Sequence, residues 1–303
     1  MTFQKKHLSL ALGLCLLLAA TAAPAADWTD MFVGWRYCYH VYDPNINHEI
    51  IKNVAQFAVA NRYSLGSNFL NVDVLMSNQY DPANNRGLDT NVNSGSGGAQ
   101  EIYVTYRHQL SLNKAFNAGI KSGLVRDVSI TVGSDLNSKN TQFAPGKKMI
   151  VVGPTVNLNP GKGFVDLGLW YYKEWTHNAF ANGEAKNVAF DGTAMVNLTW
   201  GIPVALSKDV PSTFKGFAYA TFPKGKDAVG VDTKTEVLSR ITWQVDVGSL
   251  VFGKKGTFSV GPGYELWWHK FGNDTPTPVA PGSSVMKVNH TTSAPTFQAE
   301  IHF

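Results

Sequence analysis

Cysteine is nearly absent: the 303 residues include only 2, Cys15 and Cys38. A disulfide scaffold needs many more, and a lone Cys38 is no metal-ligand set. Charge is also scarce, with 16% charged residues and a net charge of +4. Nucleic-acid binders usually carry a strong basic excess on one face, so no nucleic-acid partner is expected. Beyond residue 26 no apolar run reaches the about 20 residues that a helical membrane span needs. The aromatics, at 12%, are too many for a disordered chain and, with 28 glycines, suit a β-rich protein with many turns.

The first residues set the context. Lys5 and Lys6 form a basic start, Leu8 to Ala20 an apolar stretch, and Ala23-Pro24-Ala25 a small-x-small site. This is the plan of a secretory signal peptide, expected to span 1–25 and to be cleaved after Ala25. Cys15 follows Leu14 inside the apolar stretch, which argues against a lipoprotein signal. Residues 26–303 are then a single exported domain.

In that domain the dominant signal is period-2 alternation, the mark of half-buried strands. Met31, Val33, Trp35, Tyr37, Tyr39 and Val41 share one face; Arg36, Cys38 and His40 share the other. Leu70, Val72 and Val74 alternate with Asn71 and Asp73, and Ile102, Val104 and Tyr106 with Glu101, Tyr103, Thr105 and Arg107. Val128 to Asp135 and Val165 to Tyr171 repeat the pattern, as do one long segment from Val188 to Ile202, Val237 to Val247, and Phe297 to Phe303. Weaker segments cover Asn53–Asn61, Met149–Leu158, Phe214–Phe222 and Phe258–Trp268, the last holding Pro262. The count is about twelve strands.

A soluble β-sandwich gives the same alternation, but its strands are usually shorter than the roughly ten residues of a tilted membrane crossing. Trp and Tyr also gather near strand ends, at Trp35–Tyr39, Trp170–Tyr172, Trp200 and Trp267–Trp268, like the aromatic girdles of outer-membrane barrels. Long polar connections near 78–99, 136–146, 175–186, 223–232 and 269–294 alternate with shorter ones, as exterior loops alternate with periplasmic turns. The connection near 111–124 is long enough to hold a helical turn. The final strand, closing on Phe303, looks like the signal read by the barrel-assembly machinery. The expected fold is an all-β, antiparallel transmembrane barrel of about twelve strands in the bacterial outer membrane, with outer-membrane lipids as its surroundings.

Two stretches carry a family resemblance. Asn61-Arg62-Tyr63-Ser64-Leu65-Gly66-Ser67-Asn68-Phe69-Leu70-Asn71-Val72-Asp73 is similar to a hairpin of the Tsx-like nucleoside-specific outer-membrane channels. Glu101 to Leu112 resembles that family's strand with an acid, a later arginine and a Ser-Leu exit, and the terminal Phe strand also matches. The family's turn has Lys or Trp before the glycine, where this chain has Ser64-Leu65. The resemblance implies a passive channel for small solutes, nucleosides among them, with no cofactor.

Twelve strands about 4.8 Å apart and tilted about 40° give a backbone radius near 12 Å, so the lumen should be narrow. By inward parity its lining holds Arg36, Asp73, Glu101, Tyr103, Arg107, Asp166, Trp170, Asp191, Glu236, Arg240 and Glu265. Tyr103 and Trp170 suit stacking on a base; Asp73 and Glu101 suit ribose hydroxyls. Asp73 is a candidate partner for Arg107 if the register allows. The same charges also suit a network that stiffens the wall. Enzymatic lipid hydrolysis is the competing class, but the histidines (His40, His48, His108, His177, His269, His290, His302) are scattered and no Gly-x-Ser-x-Gly accompanies them; no activity is expected. A surface-attachment role for phage or another partner would rest on the loops at 78–99 and 269–294.

Overall fold

The computed structural model describes residues 26–43, 49–81, 98–139, 146–181, 184–207, 210–273 and 291–303. The expected signal peptide at 1–25 and most of the two long loops, 82–97 and 274–290, lie outside the described residues.

Thirteen strands form one sheet. They are β1 (Trp28–Val41), β2 (Ile50–Tyr63), β3 (Gly66–Ser77), β4 (Gln100–Ser111), β5 (Val125–Lys139), β6 (Gly146–Leu158), β7 (Phe164–Ala181), β8 (Glu184–Ala189), β9 (Thr193–Ala205), β10 (Pro211–Thr221), β11 (Glu236–Asp246), β12 (Phe258–Trp268) and β13 (Thr292–His302). Each pairs antiparallel with its neighbours. β13 returns to β1 in the register Phe32↔His302 to Cys38↔Thr296, so the sheet closes on itself. The closed ring has twelve strands. β8 stands outside it as a hairpin arm on β7. Closure removes the unpaired edges that an open sheet would present, a requirement in lipid, where no water satisfies free backbone groups.

The twelve alternating segments of the sequence are the twelve strands of the ring, with one correction. The segment read as a single strand from Val188 to Ile202 is two. β8 ends at Ala189 and β9 starts at Thr193. At the break, the Asp191 N–H bonds the Lys224 carbonyl of another connection, and the Tyr171 ring lies against Gly192 where a side chain would stand. The polar stretch near 175–186 is largely this β7–β8 arm rather than loop. The connection after β4 does hold a short helix, α1 (Leu112–Phe116), N-capped by the Ser111 hydroxyl, which accepts from the Lys114 N–H.

Alternation sets the two faces. Val33, Trp35, Val132, Ile150, Val152, Leu167 and Leu169 are exposed on the outer wall. Arg36, Asp73, Thr131, Asp135, Thr155, Glu265 and Glu300 are buried within. This is the reverse of a soluble fold, which rarely exposes an apolar surface of such extent; it fits a wall facing lipid. Tyr171 and Trp175 lie on that wall near the end of β7 that leads to the β8 arm. Trp170 and Tyr172 do not belong to a girdle: both face inward and are buried, because they share parity with Gly168 and Glu174. No helix among the described residues is long and apolar enough to cross a membrane.

The antiparallel order places the connections at 42–49, 78–99, 140–145, 222–235 and 269–291 at one end, and those at 64–65, 112–124, 159–163, 206–210 and 247–257 at the other. Exposed Lys226 belongs to the first end and exposed Lys254 to the second. In a Cys38→Ser background, Lys226→Cys should react with an impermeant thiol reagent on intact cells, and Lys254→Cys only after permeabilisation. The reverse pattern would invert the orientation.

Candidate functional site

The lumen is crowded by polar side chains that meet in layers. In the central layer, Arg36 on β1 is 1% exposed and donates from Nη2 to Asp73 Oδ2 on β3 at 2.8 Å. Asp73 also accepts from Gln56 Nε2 at 3.0 Å and Asn71 Nδ2 at 2.8 Å. Arg240 on β11 holds Glu265 on β12, Nη2 to Oε2 at 2.7 Å, and its Nη1 lies 3.9 Å from Asp73 Oδ2. Four ring strands (β2, β1, β13 and β12) separate β3 from β11. Their side chains therefore approach across the lumen, closing two guanidiniums and two carboxylates into one neutral group.

A second layer sits on the other wall. Tyr103 and Arg107 on β4 both bond Asp135 on β5, the phenol at 2.9 Å and Nη1 at 2.6 Å. The Arg107 guanidinium also lies 5.8 Å from the ring centre of Trp170, whose Nε1 donates to Thr155 Oγ1 at 3.0 Å. Asp73 and Arg107 are not partners. Asp73 stands opposite Tyr103, while Arg107 stands opposite Phe69; each arginine finds an acid on the strand its own register reaches.

Towards the end with the long connections, Glu101 accepts from Asn137 Nδ2 at 2.5 Å and has Lys139 Nζ at 3.4 Å. Asp81 lies between Lys52 at 4.0 Å and Lys139 at 3.9 Å. Lys270 reaches Asp43 at 2.5 Å. Burial pushes the Asp43 carboxyl up, but the ammonium of Lys270, with Lys52 and Lys139 beyond it, holds it well below the usual carboxylate range. On the other side, Glu174 bonds Lys224 at 2.7 Å, and Glu236 accepts from Trp267 Nε1 at 2.7 Å. Towards the opposite end, Asp166 accepts from Asn157 Nδ2 at 2.9 Å, with Arg126 at 3.8 Å. There too Lys215 pairs with Glu300 at 2.6 Å.

Ten of the residues expected to line the lumen do so: Arg36, Asp73, Glu101, Tyr103, Arg107, Asp166, Trp170, Glu236, Arg240 and Glu265. Asp191 does not. It is exposed in the connection between β8 and β9, because the parity that placed it inward was carried through the break at Gly192. The sequence reading missed Gln56, Lys52, Lys147, Glu174, Lys215 and Lys224. Asp135, Gln244 and Glu300 were legible as inward by alternation, but nothing local marked them as partners. Among the described residues no group of histidine, cysteine, aspartate and glutamate is arranged to hold a metal ion.

No protein-family model and no curated protein matches the chain. Among solved structures it is similar to the translocator domain of the autotransporter NalP from Neisseria meningitidis, at 10% identity and a TM-score of 0.43, over 99% of this chain and 97% of that one. It is also similar to the NanC porin, at 10% identity and a TM-score of 0.42, over 89% of this chain and 98% of that one. A third likeness, at 10% identity and a TM-score of 0.33, is to the TodX monoaromatic hydrocarbon channel in a mutant form, over 92% of this chain and 90% of that one. The chain's own ring, closed between β13 and β1, apolar outside and polar within, makes it a β-barrel of the outer-membrane kind.

Proposed function

We propose that the barrel is a channel for passive diffusion of small polar solutes through the bacterial outer membrane, with nucleosides as the first class to test. The observation that carries this reading is the lumen: polar side chains line it on every wall, and its charges are largely paired with one another. Such a lining offers hydrogen bonds without a strong net field, which suits neutral polar solutes. Passage needs no cofactor and involves no chemistry; lipid, the assembly machinery and the solute are the partners it implies.

The nucleoside reading rests on Tyr103 and Trp170 with the carboxylates near them. A base stacked on an aromatic ring gains about 1–3 kcal/mol. Arg107 lies over Trp170, so a base reaches that face only by displacing the guanidinium. Tyr103→Ala and Trp170→Ala should each weaken nucleoside block of single-channel current by about tenfold or more, with little change in potassium chloride conductance. Unchanged block in both variants would remove the nucleoside class. A wild type that never conducts in planar bilayers would remove the channel itself and favour a structural barrel closed by the Arg240–Asp73 contact.

A further inference from the structure

The pairing of β11 with β12 has a gap. It runs from Val237↔Trp268 to Thr242↔Gly263 and resumes only at Val245↔Val260. Two residues of β12, Gly261 and Pro262, pass this point opposite Trp243 and Gln244, and Gly263 stands at its edge. Only glycine fits at 261, where a Cβ would run into the Trp243 carbonyl of β11. At Gly263 a Cβ would lie 2.5 Å from Thr296 Oγ1 and 3.2 Å from Thr242 Oγ1. The two hydroxyls thus converge on bare backbone from the strands on either side.

Beside this notch the lumen holds polar atoms with nothing to bond. Gln244 is 3% exposed, and neither its Nε2 nor its Oε1 has a partner among the described residues. Thr296 is 6% exposed, and its Oγ1 likewise has none. Buried polar atoms are nearly always satisfied, so two such side chains on the strands that flank β12 ask for an explanation. The flanking charges do not supply it. On one side Arg240 is held by Glu265 at 2.7 Å, and on the other Lys215 by Glu300 at 2.6 Å. With both acids and both bases engaged, the notch has no spare charge with which to hold an ion. What it offers is one amide, with its donor and acceptor side by side, and a free hydroxyl.

We infer that Gln244 and Thr296 form a subsite for neutral solutes bearing an unsubstituted amide, such as a carboxamide, a lactam or a urea. An amide edge presents N–H beside C=O, the complement of the Gln244 side chain, so the two close a ring of two hydrogen bonds. The Thr296 hydroxyl supplies a third. The inference rests on the channel reading, because a solute comes to Gln244 through the lumen.

The probe is nicotinamide, with nicotinate as its charged counterpart that lacks the amide N–H. Binding is titrated by calorimetry to the folded full-length barrel in detergent micelles, and potassium chloride conductance is recorded in bilayers. Wild type should bind nicotinamide saturably, and nicotinate at least about tenfold more weakly. Gln244→Leu, which removes two hydrogen bonds, should weaken nicotinamide binding by about tenfold, and Thr296→Val by about threefold. Both variants should fold to the same compact, heat-sensitive form as wild type. Equal binding by wild type and both variants, equal binding of nicotinate, or no binding to a conducting wild type would overturn the subsite and leave the channel standing. Variant-sensitive binding to a barrel that never conducts would keep the subsite and overturn the channel.

Discussion

Asp73→Leu should cost the barrel about 3–5 kcal/mol of stability, the usual penalty for leaving one member of a buried ion pair alone. The substitution strands Arg36, which is 1% exposed and has its Nη2 on Asp73 at 2.8 Å. It also removes the acceptor of Gln56 and Asn71. Arg240 keeps Glu265 and loses only its longer contact at 3.9 Å. The double variant Arg36→Leu with Asp73→Leu should recover more than half of the loss, because the stranded charge goes with its partner and an apolar pair of similar volume often replaces a buried ion pair at little cost. Urea unfolding in lipid vesicles, followed by tryptophan fluorescence, measures both. A single variant within about 1 kcal/mol of wild type would mean that water already solvates Arg36 and that the central layer is an open conduit. A double variant no better than the single would place the loss in the amides of Gln56 and Asn71 instead.

That central layer marks where the sequence stops being informative. Alternation alone puts Arg36, Asp73, Arg240 and Glu265 inside, because Arg36, Asp73 and Glu265 each lie between apolar or aromatic neighbours that need lipid and Arg240 alternates with Ile241 and Trp243. It does not say which of them meet. Their pairing depends on how far each strand is staggered against the next around the whole ring, and on the closure of β13 against β1, which joins residues about as far apart in the chain as it allows. Asp73 thus loses its expected partner Arg107 to Asp135 and gains Arg36, two strands away. The weaker signals have a physical cause as well. On β2 the inward positions include Val54 and Ala58 beside Lys52 and Gln56, so apolar residues stand on both faces and the alternation is blurred. β8 escapes the reading because it sits outside the ring, where neither lipid nor lumen imposes a face along its whole length.

The same alternation gives the sharpest test of which wall faces lipid. Val196 on β9 lies between Leu169 on β7 and Ala220 on β10, on the outer wall between Tyr171 and Trp200. Val196→Arg should destabilise the assembled barrel by about 2–4 kcal/mol, the cost of an arginine on the lipid face near the membrane centre. Folding into vesicles should fall with it, seen as loss of the compact, heat-sensitive form on gels. Thr193→Arg, three residues away and of opposite parity, points the same charge into a lumen already built around Lys147, Lys224 and their acids. It should assemble with near wild-type yield and change conductance. The contrast separates a membrane barrel from a soluble one. In water, an arginine at either position would find solvent, so the outward substitution would be the milder of the two. In lipid, the guanidinium at 196 can escape only by stretching towards a headgroup, and two adjoining strands of apolar side chains stand in its way. Equal behaviour of the two variants would refute the inward and outward assignment of β9.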